Sequence, residues 1–307
     1  MLLSMRIAIE VASAASADVV HVPEDFSTIQ AAIDGSTAGR IVVGPGQYAG
    51  AFVHRPVRLE SQGASVISGP SYEGIGVGFA LSGAADGTEV VGFTFDCSRP
   101  GIDLGVYASA RRFGSAPDRV TVHGNRFRMC VQGVTNAGHP TLDCAPPAVD
   151  GGQDWRIESN AFEGFRSVAH SGRPLGGIGV FLFNASFVDV VDNRFFGVVQ
   201  DTPAFTTSGV FVAGCWDCVV TGNGFQVSGG TAWWSAVSNM GFAQAGAAAS
   251  QRLIVGDNDA RFDSAPNFGI NYRSYDSFDT DFSGSRGVSY VDHTVCGDGG
   301  LETFERR

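Results

Sequence analysis

Apolar and polar residues alternate through the middle of the chain in short runs that end on one phrase: apolar, any, apolar, any, small, Asn, any, Phe. It stands as VTVHGNRF from Val120 to Phe127. It returns as RIESNAF ending at Phe162, VDVVDNRF ending at Phe195 and VVTGNGF ending at Phe225. LIVGDND, with Asn258, is a worn copy, and EVVGFTF has Phe93 in the Asn position. Asn125, Asn160, Asn193, Asn223 and Asn258 are 35, 33, 30 and 35 residues apart, a step that marks stacked repeats. Period-two alternation predicts a half-buried strand in each copy. The Gly-Asn pair predicts a corner, because both residues tolerate φ > 0. Phe127, Phe162, Phe195 and Phe225 then turn inward, and stacked Asn amides bond one another up and down, which lets a polar ladder survive burial.

After each phrase comes a loop and a second strand opening on Gly and an apolar residue: GIDLGV from Gly101, GVT from Gly133, GIGVFLF from Gly177, GVFVAG from Gly209 and GINY from Gly269. Two strands per repeat, with a short third around the Phe, make one coil of a parallel β-solenoid. This order of elements resembles the right-handed parallel β-helix superfamily of pectate lyases, polygalacturonases, pectin methylesterases and NosD-like proteins, over roughly Val19 to Val295. The resemblance implies an all-β, single-domain fold with sugar polymers bound along the Gly-led strand face. It names no reaction, because this fold hosts many chemistries.

HVPEDFSTIQAAIDG predicts an amphipathic helix over about 26–35. Ser27 is the expected cap with Gln30 reaching back. Phe26, Ile29 and Ile33 form the apolar stripe, and Gly35 stops the helix. Its expected task is to cover the open end of the first coil. Residues 1–17 read as a signal or disordered leader, 18–307 as one β-helix domain with coils over about 40–295, and the last residues as a polar tail.

Composition narrows the partners. The chain of 307 residues carries 31 acids against 20 bases, a net charge of −11, and every base is Arg. That balance disfavours nucleic acid and admits polyanions only where Arg or a cation reverses the field locally. No apolar run reaches membrane-spanning length. The small-residue Ala-Ser-Ala end of the leader favours export over a cytoplasmic location, although Glu10 interrupts its apolar stretch. Six Cys, at 97, 130, 144, 215, 218 and 296, are spread too widely to define a disulfide scaffold. The C-x-x-C at Cys215 and Cys218 is a weak sign of zinc without a second pair.

The chemistry is expected on the Gly-led face and its flanking loops. With Ile102, Leu104, Val134, Ile178, Val180, Leu182, Val210 and Val212 inward, the residues Asp103, Thr135, Gly179, Phe181, Phe183, Phe211 and Asn271 point out. Phe181, Phe183 and Phe211 make an apolar floor for stacking sugar rings or an apolar small molecule, unless a folded-over loop covers them. One loop wall gathers His170, Arg173, Gln200, Asp201, Trp233 and Trp234: a base, an acid, an anion clamp and a stacking platform. Taken singly, each reads as a solvated loop residue. Gln200-Asp201-Thr202 is similar to the acid-bearing segment of pectin methylesterases, but Val210 stands where their nucleophilic Asp would follow, so esterase chemistry does not carry over. The other wall holds His139 and Asp143, an acid–base pair or metal ligands. Asp276, Asp279 and Asp281 make Ca²⁺ possible in a turn, without EF-hand spacing.

The functional expectation is a carbohydrate-active enzyme of lyase or glycoside hydrolase type, with poly- or oligosaccharide as partner and no required cofactor. His170, Asp201, Arg173 and His139 are the candidate catalytic residues. Asp103, Thr135, Phe181, Phe211, Trp233 and Trp234 are the candidate substrate-binding residues. The alternatives are a small-molecule cyclase or isomerase over an apolar pocket, and a non-catalytic glycan-binding or structural solenoid.

Overall fold

The computed structural model describes residues 18–70, 76–139, 152–166, 168–170, 173–175, 177–199, 207–228, 234–240, 250–262, 271–275, 277–278, 290–297 and 300–306. At 168–170, 173–175, 199, 228, 234, 240, 251, 261–262 and beyond 270 the description is of backbone alone. The strands form three long sheets. Sheet A has nine strands, from Val19–Val22 to Ile254–Gly256. Sheet B has eight, from Gly46–Ala49 to Asp259–Phe262. Sheet C starts at Ala51–Val53 and reaches Tyr290–Gly297. The chain visits A, B and C in turn and returns one rung higher with parallel pairing. This is a right-handed parallel β-helix.

Why the predicted phrase folds this way is visible in the register. Val20, Ile41, Leu59, Val90, Val122, Ile157, Val190, Val220 and Val255 form one buried file through sheet A. In sheet B, Phe95, Phe127, Phe162, Phe195 and Phe225 stack with ring centroids 4.6–4.9 Å apart and planes within 4–10° of parallel. The strand spacing dictates that separation, so each ring finds a partner above and below.

The corner between A and B carries the Asn ladder. Asn160 Oδ1 accepts from the backbone N–H of Asn125 at 2.9 Å and from its Nδ2 at 3.1 Å. Asn193, Asn223 and Asn258 repeat the contact upward. Each Nδ2 from Asn125 to Asn258 also donates to a sheet A carbonyl of the coil below, at 2.8–2.9 Å. The ladder ends downward at Phe93, whose N–H donates to Asn125 Oδ1.

Several local expectations are corrected. The left-handed residue at this corner is the one before Asn (Gly124, Ser159, Asp192, Gly222, Asp257), while the Asn keeps its side chain inward and buried. The helix spans Ile29–Gly35 and its cap is Thr28, whose Oγ1 accepts from the Ala31 N–H, rather than Ser27. Gln30 does not reach back. Its amide bonds both backbone groups of Phe52, imitating the strand that would otherwise lie beside the first rung of sheet C. Ile29, Ala32 and Ile33 are buried over the first coil as the capping role requires. At the other end, Gly300–Arg306 is a strand, antiparallel to Tyr290–Gly297, rather than a tail.

Candidate functional site

The outer face of sheet C is built by alternation. Val106, Val134, Val180 and Val210 point in, and the next residues form an outward file: Phe52, Ala80, Tyr107, Thr135, Phe181, Phe211 and Ser238, one per coil. The Phe181 ring lies 5.6 Å from Phe211 and 6.2 Å from Phe183. Lower on the face, Phe113, on the short helix Ala110–Phe113, packs 5.6 Å from Phe52 and 6.1 Å from Tyr107. All these rings are half-buried. The face is therefore an aromatic strip in two patches, with Thr135 between them. Tyr107, Phe113 and Phe52 belong to the strip and were missed from the sequence, although Tyr107 follows Val106 in the same alternation.

Not every outward residue is open. Thr135 is 2% exposed and its Oγ1 donates to Gln132 Oε1 at 2.7 Å. Ser208 and Ser238 are fully buried, and neither hydroxyl has a hydrogen-bond partner. Gly179 is not outward: a Cβ there would meet the Phe195 ring at 2.5 Å and the Gly209 carbonyl oxygen at 2.6 Å. Gly105, Gly133 and Gly209 stand in the same way against Phe127, Phe162 and Phe225, so a side chain at any of these positions would push into the Phe stack. Leu104, expected inward, is half-buried and shares a rung with Gln132, Ile178 and Ser208.

Two of the proposed polar residues, Asp103 and His139, have described side-chain contacts. Asp103 is ion-paired with Arg166, whose guanidinium also donates to the carbonyls of Met129 at 2.7 Å and Ile102 at 3.2 Å. That cluster ties a loop to the sheet edge. His139 Nε2 lies 3.0 Å from the Gly114 carbonyl, and the His139 carbonyl accepts from Asn184 Nδ2 at 2.7 Å. His170 and Arg173 face each other in a two-stranded antiparallel hairpin, Val168–His170 against Arg173–Leu175. Trp234 opens a sheet C strand beside Thr207. Asp201, Trp233, Gln200 and Asp143 lie outside the described residues, as do Asp276, Asp279 and Asp281. Among the described residues no three His, Cys, Asp or Glu side chains stand together as a metal site. No helix among them is long and apolar enough to cross a membrane.

Two further sequence features resolve. Cys215 and Cys218 form a disulfide across the Trp216-Asp217 corner, and Cys97 is bonded to Cys130 one coil above. Bonded thiols do not ligate zinc, and such bonds persist in an oxidising compartment. His123 with Glu158, and Arg156 with Asp189, are cross-strand polar pairs on the outer face of sheet A.

No family model matches the sequence, and no curated protein matches it. Among solved structures the chain is similar to ORF18 of Geobacillus virus E2, at 11% identity and TM-score 0.41, with 93% of this chain aligned to 63% of that one. It thus spans less than two thirds of that protein. It is similar to PfbA, a surface adhesin of Streptococcus pneumoniae, at 11% identity and TM-score 0.47, covering 89% and 88% of the two chains. It is also similar to the catalytic domain of a GH87 α-1,3-glucanase in complex with nigerose, at 11% identity and TM-score 0.44, covering 96% and 70%. At these identities the likeness says nothing about chemistry, and the β-helix stands on its own strand topology.

Proposed function

We propose that the protein binds a poly- or oligosaccharide along the outer face of sheet C. The observation that carries this is the aromatic strip, with Phe181 and Phe211 on adjacent coils 5.6 Å apart. One coil step of about 4.8 Å is comparable to the length of one pyranose ring, so successive rings can sit over successive coils. The apolar face of a sugar stacks on an aromatic ring while its hydroxyls stay free for hydrogen bonds. The two disulfides fit the export read from the leader, so the polymer belongs outside the cytoplasm.

Cleavage is the finer part of the reading. General acid–base chemistry of lyase or hydrolase type is assigned to His170 and Asp201, with Arg173 steadying a carboxylate or developing charge. The support is the hairpin register that opposes His170 and Arg173. His139 is less suited, since its ring nitrogen already meets a backbone carbonyl. Any Ca²⁺ would fall to Asp276, Asp279 and Asp281, and chelation would test it. A second reading, a small apolar ligand enclosed against the strip, is favoured by the buried, unpartnered hydroxyls of Ser208 and Ser238.

The test is a thermal-shift screen of neutral and acidic oligosaccharides beside apolar small molecules, followed by cleavage assays on the polymer that binds. Phe181→Ala and Phe211→Ala are expected to weaken sugar binding by about tenfold each, roughly 1.4 kcal/mol. His170→Ala and Asp201→Ala are expected to stop turnover and leave binding intact. A shift with apolar compounds alone would replace the glycan reading by the enclosed-ligand one.

A further inference from the structure

The outer face of sheet B holds two gaps in its files of long side chains, and only one of them is filled from within. One file runs Arg126, Ala161, Arg194, Gly224 and Asp259 on successive coils. Two residues further along each strand, Arg128, Glu163, Phe196 and Gln226 form the next file. At Ala161 the short side chain is bridged over: Arg126 Nε donates to Glu163 Oε2 at 2.8 Å, and Arg128 Nε lies 3.3 Å from the same oxygen. At Gly224 the file stays open. A Cβ there would meet no atom within 4 Å. The result is a recess of about 270 Å3 lined by Arg194, Phe196, Gly224, Gln226 and Asp259 over the backbone of Phe195 and Phe225.

The lining groups are of complementary kinds. Arg194 is exposed, and its guanidinium has no partner among the described residues. Such a planar fork suits a carboxylate. In a chain of net charge −11 a cation left unneutralised creates a local exception to a repelling field. Phe196 is half-buried and offers a ring face beside it. Gln226, on the same strand as Gly224, and the Asp259 carboxylate, one coil above it, suit hydroxyl groups. Arg194 and Asp259 stand two rungs apart, about 9.6 Å between backbones, the length of one ring with its substituents. The volume lies below the roughly 300 Å3 at which drug-sized pockets begin, so the ligand has a single ring.

We propose that this recess binds one sugar acid, a uronate, with its carboxylate on Arg194, its ring over Gly224 against Phe196, and its hydroxyls on Gln226 and Asp259. The site is on a different sheet from the aromatic strip and is independent of the reading given for it. It would let the solenoid hold an acidic glycan on a face separate from the one that processes or binds the main chain.

The experiment is calorimetric titration of the full chain with galacturonate and glucuronate, against glucose. The uronates bind in the millimolar range or tighter, and at least about tenfold more tightly than glucose, the margin of one charge-assisted pair. Added salt weakens them. Arg194→Ala removes the preference over glucose. Gly224→Val fills the recess and abolishes binding with no fall in melting temperature, because its side chain meets open space and Val suits a strand. Phe211→Ala leaves uronate binding unchanged. Equal binding of glucose and uronate, an unaltered Gly224→Val protein, or no saturation at millimolar sugar overturns the proposal. Loss on Phe211→Ala but not on Gly224→Val moves the uronate to sheet C, which sinks this site and leaves the glycan reading standing.

Discussion

Each coil turns two tight corners that share one backbone solution and differ in almost everything else. From sheet A to B, the turn residues Gly124, Ser159 and Asp192 sit at φ 64°, 54° and 55°. From sheet C to A, Arg119, Asp154, Phe187, Asp217 and Arg252 sit at φ 50–58°. In both, the turn residue's N–H donates to a carbonyl of the coil above: Ser159 to Val191 at 3.2 Å in the first, Phe187 to Trp216 at 2.8 Å in the second. The residue that follows separates them. In the first corner it is Asn, buried and bonded along the stack. In the second it is Val120, Trp155, Val188, Cys218 or Leu253, each buried among apolar neighbours. A left-handed turn therefore tolerates Arg, Asp and even Phe, whereas a buried polar ladder tolerates one side chain. Only an amide offers both a donor and an acceptor at the right reach on every rung.

The largest expected break comes at the second corner. Trp155 is 1% exposed, and its Nε1 donates to the Pro117 carbonyl at 2.7 Å. Trp155→Ala is expected to cost about 3–5 kcal/mol by denaturant titration, through the cavity and the unpaired carbonyl. A loss below about 1 kcal/mol would show that this corner is not held by packing.

At the first corner, Asn193→Leu removes the acceptor for two Asn160 donors and the donor to Ile157 and Asn223. The expected loss is about 2–4 kcal/mol, from buried groups left unpaired. An unchanged melting point would mean that the ladder is decoration and that the two corners are held alike.

A smaller effect has the opposite sign. Phe187 is 49% exposed and left-handed. Phe187→Gly is expected to stabilise by roughly 0.5–1 kcal/mol, because the αL cost of a side chain outweighs the added freedom of the unfolded chain. A decrease in stability would show that the ring contributes packing the exposure does not suggest.

The smallest concerns charge. Hydrogen bonds from Arg252 hold the Asp217 carboxyl below the ordinary carboxylate range against the opposing effect of burial, and Arg252 also lies 5.7 Å from the Trp216 ring. A depressed carboxyl contributes stability that is present above its unfolded pKa of about 3.9 and is lost as pH falls through the lower folded value. Asp217→Asn is expected to flatten that acid limb of the stability curve by no more than about 1 kcal/mol, since the pair is partly exposed. An identical acid limb in the variant would remove the pair as a contributor.

Much of the core was legible because repetition made it so. Asn125, Asn160, Asn193 and Asn223 recur with Phe two residues later, and both stacks form as the spacing requires. The second corner left no such trace, since its turn residues and their neighbours vary from coil to coil. The outer face of sheet C was half legible. Phe181 and Phe211 follow from alternation, but nothing in the chain near Thr135 shows that it is buried against Gln132. Nor could spacing show that Asp103 is bound by Arg166, 63 residues on. The recess at Gly224 escaped altogether, because a gap is defined by what neighbouring coils fail to place there.

What this sequence determined by itself is the periodic interior: parallel coils, an amide ladder, a column of Phe and a helical cap over one end. Those follow from alternation and from residue types whose burial admits one arrangement. What the tertiary structure decided is every contact between coils that obeys no period. It set which outward residues stay open, which carboxylates are already paired, which cysteines bond and where a groove is left. The physical reason is that an interior must satisfy each buried group on every rung, so its pattern repeats. A surface group has water as an alternative partner, and only the neighbouring coil settles which it takes.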